Sequence, residues 1–552
     1  MRGFLTFSWS PEDPAAVRAA GRLKSAALED GWTEIERRPA CWVGVRGPNP
    51  PKSYAPRTGT LVIGDVFAHP DAGSGGADGE TDEAFAGWYS RNRWGRYVIL
   101  FRGSDGALMR VFRDPSGSLA VHGWRARGLQ ILTSGVADAV VAAAPPKVAF
   151  DWDRVRALAE RPFDLAGPSP LTGIMTVPPG RLADVDGRSM ALWSPEAVAA
   201  TPTRRAADAR RNLRRILDHC VGVLSGRRAI GIEISGGLDS AIVGGALSAL
   251  GRPVAFALNT RGPHAETDER RYAQEAADLM GAPLSCRARA AVAYSAELFE
   301  ATAGDPWPSQ NGRDLENDLL VAAACLEAGV DALLTGKGGD ALFFQMHTPL
   351  AFADLWRRGP LRSLLSGQLP GVARWTRTST WSLIRTARES RRGAADDLPP
   401  GKRMQIAAIT GGLAYYSACR RSEAVDMIHP LMAQPLLEWA LRTPVPDLAP
   451  NGRERGLARD VFADRLPASI ARRQGKGDYA AYFNQQAAQN LPFLRAYLLD
   501  GRLAEERVID RAFMEARLDE DVLRWQGGAS EILAAVSLEA WIRRWDGRRR
   551  GA

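Results

Sequence analysis

The stretch Gly231-Ile232-Glu233-Ile234-Ser235-Gly236-Gly237-Leu238-Asp239-Ser240 closes a short apolar run with a serine- and glycine-rich turn and then enters a helical pattern. A strand that feeds such a turn and a helix makes an anion site. Successive backbone N–H groups point into one concavity and the positive end of the helix adds to them, so phosphate or pyrophosphate is the expected guest. Gly236 and Gly237 let the backbone bend and come close to a ligand, Ser235 and Ser240 offer hydroxyls, and Asp239 offers an oxygen to a hard cation such as Mg2+. The expected ligand is ATP. The spacing is not G-x-x-x-x-G-K-[ST], the pattern of phosphoryl transfer. The plain alternative is a glycine turn that only joins strand to helix.

Outward from this loop the order reads strand (229–234), loop, helix (241–250), strand (254–259), helix (269–280) and, later, strand (331–334). Strands alternating with helices imply a parallel sheet with ligands at the carboxyl ends of its strands. A second glycine-rich turn, Thr335-Gly336-Lys337-Gly338-Gly339-Asp340, follows the last of these strands and supplies another carboxylate. Asp239 and Asp340 suffice for one or two Mg2+ ions, since Mg2+ takes one or two carboxylates plus phosphate oxygens and water. A third segment, Arg472-Arg473-Gln474-Gly475-Lys476-Gly477-Asp478-Tyr479, sets a lysine between two glycines. There Lys476 is placed to neutralise charge developing on an α-phosphate and an attacked carbonyl, although a lysine on a basic surface loop fits the local sequence equally.

Upstream, to about residue 195, short β-like runs are broken by glycine turns: Thr60 to Asp65, Tyr97 to Phe101, Leu108 to Phe112 and Leu129 to Thr133. This density of strands points to a mainly β or layered α+β domain. From about Arg204 an arginine- and alanine-rich helical sequence leads into the nucleotide loop, and the remainder to Ala552 reads mostly as helix. The expected division is therefore 1–200 and 201–552.

At 552 residues the chain exceeds one ordinary core. Cys41, Cys220, Cys286, Cys325 and Cys419 form no C-x-x-C pair, so neither a zinc site nor a disulfide framework is indicated, and a reducing cytoplasm fits best. The N-terminal run meets Pro11, Glu12 and Asp13 too soon for a signal-peptide core, and no run approaches membrane-spanning length. The formal net charge of +8 comes mostly from arginine and allows attraction to an acidic peptide or nucleotide. No nucleic-acid partner is expected.

S-G-G-L-D-S resembles the pyrophosphate loop of the ATP pyrophosphatases, which split ATP between its α and β phosphates to make acyl-adenylates. With the other two motifs, the chain is similar to the asparagine synthetase superfamily, whose relatives include β-lactam synthetases and lasso peptide cyclases. Met1-x-Gly3, Arg113 to Gly117, Thr133-Ser134, Val177 to Gly180 and Trp193 to Pro195 are similar to landmarks of a glutaminase-like domain. Asp268 to Ala273 and Arg455 to Arg472 fit the synthetase domain. The resemblance implies an α+β glutaminase-like layered domain followed by an α/β ATP-pyrophosphatase synthetase domain with a helical C-terminal part. It assigns Ser235, Gly236, Gly237, Asp239, Ser240 and Gly336 to ATP, Asp239 and Asp340 to Mg2+, and Lys476 with both aspartates to catalysis.

Departures narrow the resemblance. Glutamine-dependent members carry a cysteine nucleophile after the initiator methionine, where this chain has Arg2, and a guanidinium is not a nucleophile. Asparagine synthetases have an acidic residue where Lys337 stands, β-lactam synthetases a tyrosine, and Ser417 matches a position where an acidic partner is expected. The pattern looks most like a lasso peptide cyclase. That implies adenylation of an Asp or Glu side chain of a precursor peptide, followed by macrolactam closure by its freed α-amine, with a leader-binding protein and a leader peptidase as partners. An ammonia- or amine-dependent amidotransferase and a non-catalytic peptide-binding homologue are the alternatives. Arg455 and Arg459, four apart, read as one helical face that assists phosphate or peptide, or as an exposed basic face. The segment from Trp356 to Lys402, dense in arginine and tryptophan, reads as a binding surface or a solvated helical excursion.

Overall fold

The computed structural model describes residues 2–73, 81–165, 167–203, 205–226, 229–309, 311–392, 398–473, 477 and 479–550. Its N-terminal region holds two six-stranded sheets, both antiparallel among the described residues. In one, Gly3–Trp9 lies between Leu129–Thr133 and Cys41–Arg46; in the other, Arg93–Arg102 lies between Thr60–Ala68 and Leu108–Arg113. The four β-like runs of the sequence are all strands.

Alternation along Arg93–Arg102 shows why this region is so apolar. Val98 and Leu100 join Phe4, Val43 and Val45 of the other sheet in one cluster, while Tyr97, Ile99 and Phe101 turn to Phe85 and Tyr89 of the helix Asp82–Asn92. With period-two side chains and both faces covered, such a strand has no polar side. Ala19, Leu23 and Ala27 of the helix Pro14–Glu29 cluster with Leu5 and Phe7 of the first sheet.

The nucleotide-loop region forms a five-stranded parallel sheet, in the order Leu284–Ala288, Phe256–Arg261, Ile230–Glu233, Ala332–Leu334, Asp426–Ile428. Ile230, Ile232 and Ile234 pack on Ala241, Ile242 and Leu247 of the following helix. Strand order reverses at Ile230–Glu233, whose chain continues to one neighbour and only later returns to the other. Crevices at the carboxyl end of such a reversal are where open parallel sheets bind ligands. Two expectations change in detail. The helix after the first loop is Leu238–Ala249, so Asp239 and Ser240 stand in its first turn, and the edge strand Asp426–Ile428 interrupts a stretch expected to be helical throughout.

The C-terminal helices return to the N-terminal sheet. Tyr497, Leu498, Ile532, Val536, Trp541 and Trp545 share one apolar cluster with Leu5, Phe7, Trp42, Trp124 and Ile131. No helix among the described residues is long and apolar enough to cross a membrane.

Candidate nucleotide and amide-forming site

Both glycine loops leave adjacent central strands at the same end of the parallel sheet, and glycine lets them touch. A Cβ on Gly336 would run into the backbone nitrogen of Ser240, and one on Gly339 would lie 2.5 Å from Cγ of Asp239. Gly236 takes φ +74° and Gly338 φ +91°, the left-handed conformations glycine adopts without strain. Within the first loop the Oγ atoms of Ser235 and Ser240 are 3.3 Å apart, and the Gly237 amide donates to Ser235 Oγ at 3.3 Å. Gly237 caps the helix with no side-chain bond to its first amides, which leaves the positive end of the helix facing the concavity. Ser235, Gly236, Gly237, Ser240 and Gly336 thus converge as their order in the sequence implied.

Arg455 draws the two carboxylates together. Its Nη1 lies 2.9 Å from Asp239 Oδ2 and 3.4 Å from Asp340 Oδ1, while Nη2 donates to Glu454 Oε1 at 3.2 Å. Two carboxylates reaching one nitrogen are close enough to share a cation, so the donor set fits Mg2+ carried in with a polyphosphate. Arg455 is buried and stands at φ +51°, a left-handed conformation that costs a non-glycine residue roughly 1–2 kcal/mol. The surrounding contacts hold it there.

The reading of Arg455 and Arg459 as one exposed helical face is corrected here, because both are buried. Arg455 is the cap preceding the helix Gly456–Val461, and Arg459 within that helix donates from Nη1 to the carbonyls of Ile470 and Ala471, both at 3.1 Å. Burial, then Arg455 and Arg453 beside it, push the Arg459 guanidinium down to about 10.

Lys476 lies outside the described residues, but the chain on either side of it is anchored. Arg473 donates to the Gly236 carbonyl at 3.2 Å and to Glu269 Oε1 at 2.5 Å, with its guanidinium 4.1 Å above the Tyr272 ring. The Gly477 amide donates to the same Glu269 oxygen at 2.6 Å. Glu269 therefore ties down the third segment, and Arg473 joins that segment to the first loop. The sequence signal of Glu269 was its place within Asp268 to Ala273; its role as the tie was not legible there.

The second loop rests on a buried histidine. Thr335 Oγ1 is 2.8 Å from His429 Nδ1 and accepts the Lys337 amide at 3.2 Å. Burial, with Lys337 next, holds the imidazole of His429 well below its ordinary range, so it is neutral. On the other side of the sheet end, Arg421 Nε donates to Asp318 Oδ1 at 2.8 Å and Nη1 lies 3.6 Å from Glu233 Oε1, while Arg289 Nη1 is 2.7 Å from Asp314 Oδ1. This charged wall was not anticipated.

Between the two regions lies a cavity of about 250 Å3, lined among others by Arg2, His122, Trp307, Tyr415, Ser417 and Asp426. Ser417 thus faces this cavity, its carbonyl accepting from Asn311 Nδ2 at 2.8 Å. Arg2 is bidentate to Asp65 at 2.7 and 2.9 Å and lies 3.9 Å from Asp426, which also pairs with Arg96 at 2.9 Å. Burial works against charge on Asp65, but Arg96 and Arg2 outweigh it and hold the carboxyl well below the usual range.

In the Trp356 to Lys402 segment, Trp356, Val372, Leu383 and Ala387 make a small core with Phe352 of the preceding turn. Trp356 is therefore a packing residue, and Lys402 is buried against Gln405 and the carbonyls of Ala440 and Thr443. Trp381 is the exposed one.

The family profile described as asparagine synthase matches residues 212–543. No curated protein matches the chain.

Proposed function

The chain belongs to the asparagine synthase family, and from that premise we propose that it is a lasso peptide cyclase. The family consists of ATP-dependent, AMP-forming ligases that make amide bonds. In the proposed reaction a side-chain carboxylate of a precursor peptide attacks the α-phosphorus of ATP and releases pyrophosphate. The peptide's α-amine then displaces AMP from the acyl carbon to close a macrolactam. Ser235, Gly236, Gly237, Ser240 and Gly336 cradle the pyrophosphate through backbone amides and hydroxyls. Asp239 and Asp340 would hold Mg2+, which would offset phosphate charge, and Arg455 keeps the two carboxylates aligned. Lys476, between Arg473, which donates to the first loop at Gly236, and Gly477, which donates to Glu269, stabilises charge on the α-phosphate.

The observation that carries the choice of acceptor is the setting of Arg2. Its guanidinium is bound into the buried cluster of Asp65, Arg96 and Asp426, so it supplies no nucleophile to release ammonia from glutamine. The nitrogen then arrives with the substrate, as a peptide amine. A leader-binding protein and a leader peptidase act before closure, because the α-amine must first be exposed.

The test is pyrophosphate and AMP release with Mg-ATP and a leader-free precursor peptide, against aspartate plus ammonia and against no acceptor. Peptide-dependent release with a product lighter by one water is the expected result, and Asp239→Ala should lower it roughly 100-fold or more, since metal-borne charge stabilisation amounts to several kcal/mol. Release with the small acid instead identifies an amidotransferase. Silence in every arm points to a missing partner or a binding-only homologue.

A further inference from the structure

Lys337 sits in the second loop between Gly336, which packs on the Ser240 backbone, and Gly338 at φ +91°. Its side chain therefore starts within a few ångströms of the pyrophosphate loop, yet its ammonium makes no hydrogen bond and no ion pair among the described residues. What it meets is the face of Tyr415, 5.3 Å from Nζ to the ring centroid. Here the nearby carboxylates are engaged elsewhere: Glu233 and Asp318 with Arg421, and Asp314 with Arg289.

We infer that Lys337, acting from the neutral amine, is the base that takes the proton from the acceptor nitrogen during amide formation. This rests on the proposed cyclase reading and names the group that reading leaves open. The α-amine's lone pair attacks the acyl carbon, the N–C bond forms and the bond from that carbon to the phosphate oxygen breaks. AMP departs with the electron pair, and the proton lost by nitrogen moves to Lys337 Nζ and from there to water. The charge environment suits this. Burial first, then Arg421, pushes the ammonium down to about 8, against the pull of Glu233 and Asp314 in the other direction; Cys419 and the neutral His429 also face it from the neighbouring elements. The aromatic face of Tyr415 still accommodates the cation that results.

The experiment separates the two half-reactions in the full chain. Peptide-dependent exchange of labelled pyrophosphate into ATP reports adenylation, hydroxylamine capture reports the acyl-adenylate, and mass spectrometry reports the ring. In Lys337→Met, exchange and hydroxamate formation persist, because hydroxylamine is already unprotonated at neutral pH, while ring formation falls roughly 10²–10⁴-fold. Lys337→Arg keeps the cation but cannot give up its proton, and closure is lost there too. Wild-type closure by Lys337→Arg makes the role one of charge and overturns the inference. So does undiminished closure by Lys337→Met, or loss of exchange in that variant, which places the residue in adenylation. Absence of peptide-dependent exchange in the wild type brings down the cyclase reading itself, and this inference with it.

Discussion

His122 shows how much of this molecule's pH behaviour is written in single side chains. It is buried, its Nδ1 is 3.0 Å from Thr176 Oγ1, and burial, then Arg113, push its imidazole down to about 3. The folded pKa lies below the unfolded value of about 6.5, so the unfolded chain binds a proton that the folded one refuses. Stability falls as pH drops below 6.5, by about 1.4 kcal/mol per pH unit, down to about pH 3. His122→Gln should remove this component: the gap in urea-unfolding free energy between wild type and variant should change with that slope from pH 6 to 4, and a flat gap refutes it. Nothing in Val121-His122-Gly123 announces a buried histidine, because burial is set by strands far away in the chain. Asp239 and Asp340 were legible for the opposite reason. Their chemistry depends on a turn and a helix start that local sequence dictates. Arg455 was legible as a residue beside the site but its burial was not, since Asp239 and Asp340, which it joins, lie more than a hundred positions away.

At the scale of elements, the two glycine loops act as one unit. Gly336→Ala sets a methyl group against the Ser240 backbone, which has no flexible end to yield. The expected cost is about 1–3 kcal/mol of overpacking, together with a fall in pyrophosphate release larger than thermal melting alone explains, because the displaced atoms are those the proposed reaction sets against phosphate. Unchanged release would mean that the loops separate freely. The alternation of strand and helix was readable because a parallel sheet buried on both faces demands continuous apolar runs. The edge strand Asp426–Ile428 was not, since three residues carry no period and only pairing with Ala332–Leu334 makes them a strand. The helices around Trp356 show the same limit: an arginine-rich sequence looked like surface, yet its Phe352, Trp356 and Leu383 had a core to fill.

At the scale of the molecule, the chain's two ends meet. Trp541 and Trp545 both donate from Nε1 to the Asp305 carbonyl, at 2.9 and 3.1 Å, and Trp541 is fully buried in the cluster that also holds Leu5, Phe7 and Trp124. Trp541→Ala should cost roughly 3–5 kcal/mol. Because the cavity would undercut the N-terminal sheet as well as the C-terminal helices, calorimetry should show one transition moved down; a separate early transition of the C-terminal helices would overturn this. The sequence by itself determined the parallel sheet, the two glycine loops with Asp239 and Asp340 beside them, and the β-rich character of the first region, because hydrophobic period and glycine turns act within a dozen residues. Only the tertiary structure decided that Arg455 joins Asp239 to Asp340, that Glu269 ties down the third segment, that Arg2 lies in an ion cluster with Asp426, and that the last helix shares an apolar cluster with the first sheet. Those contacts span from about a hundred to more than five hundred positions. Burial and charge pairing at such separations depend on how finished elements pack, which no local pattern encodes.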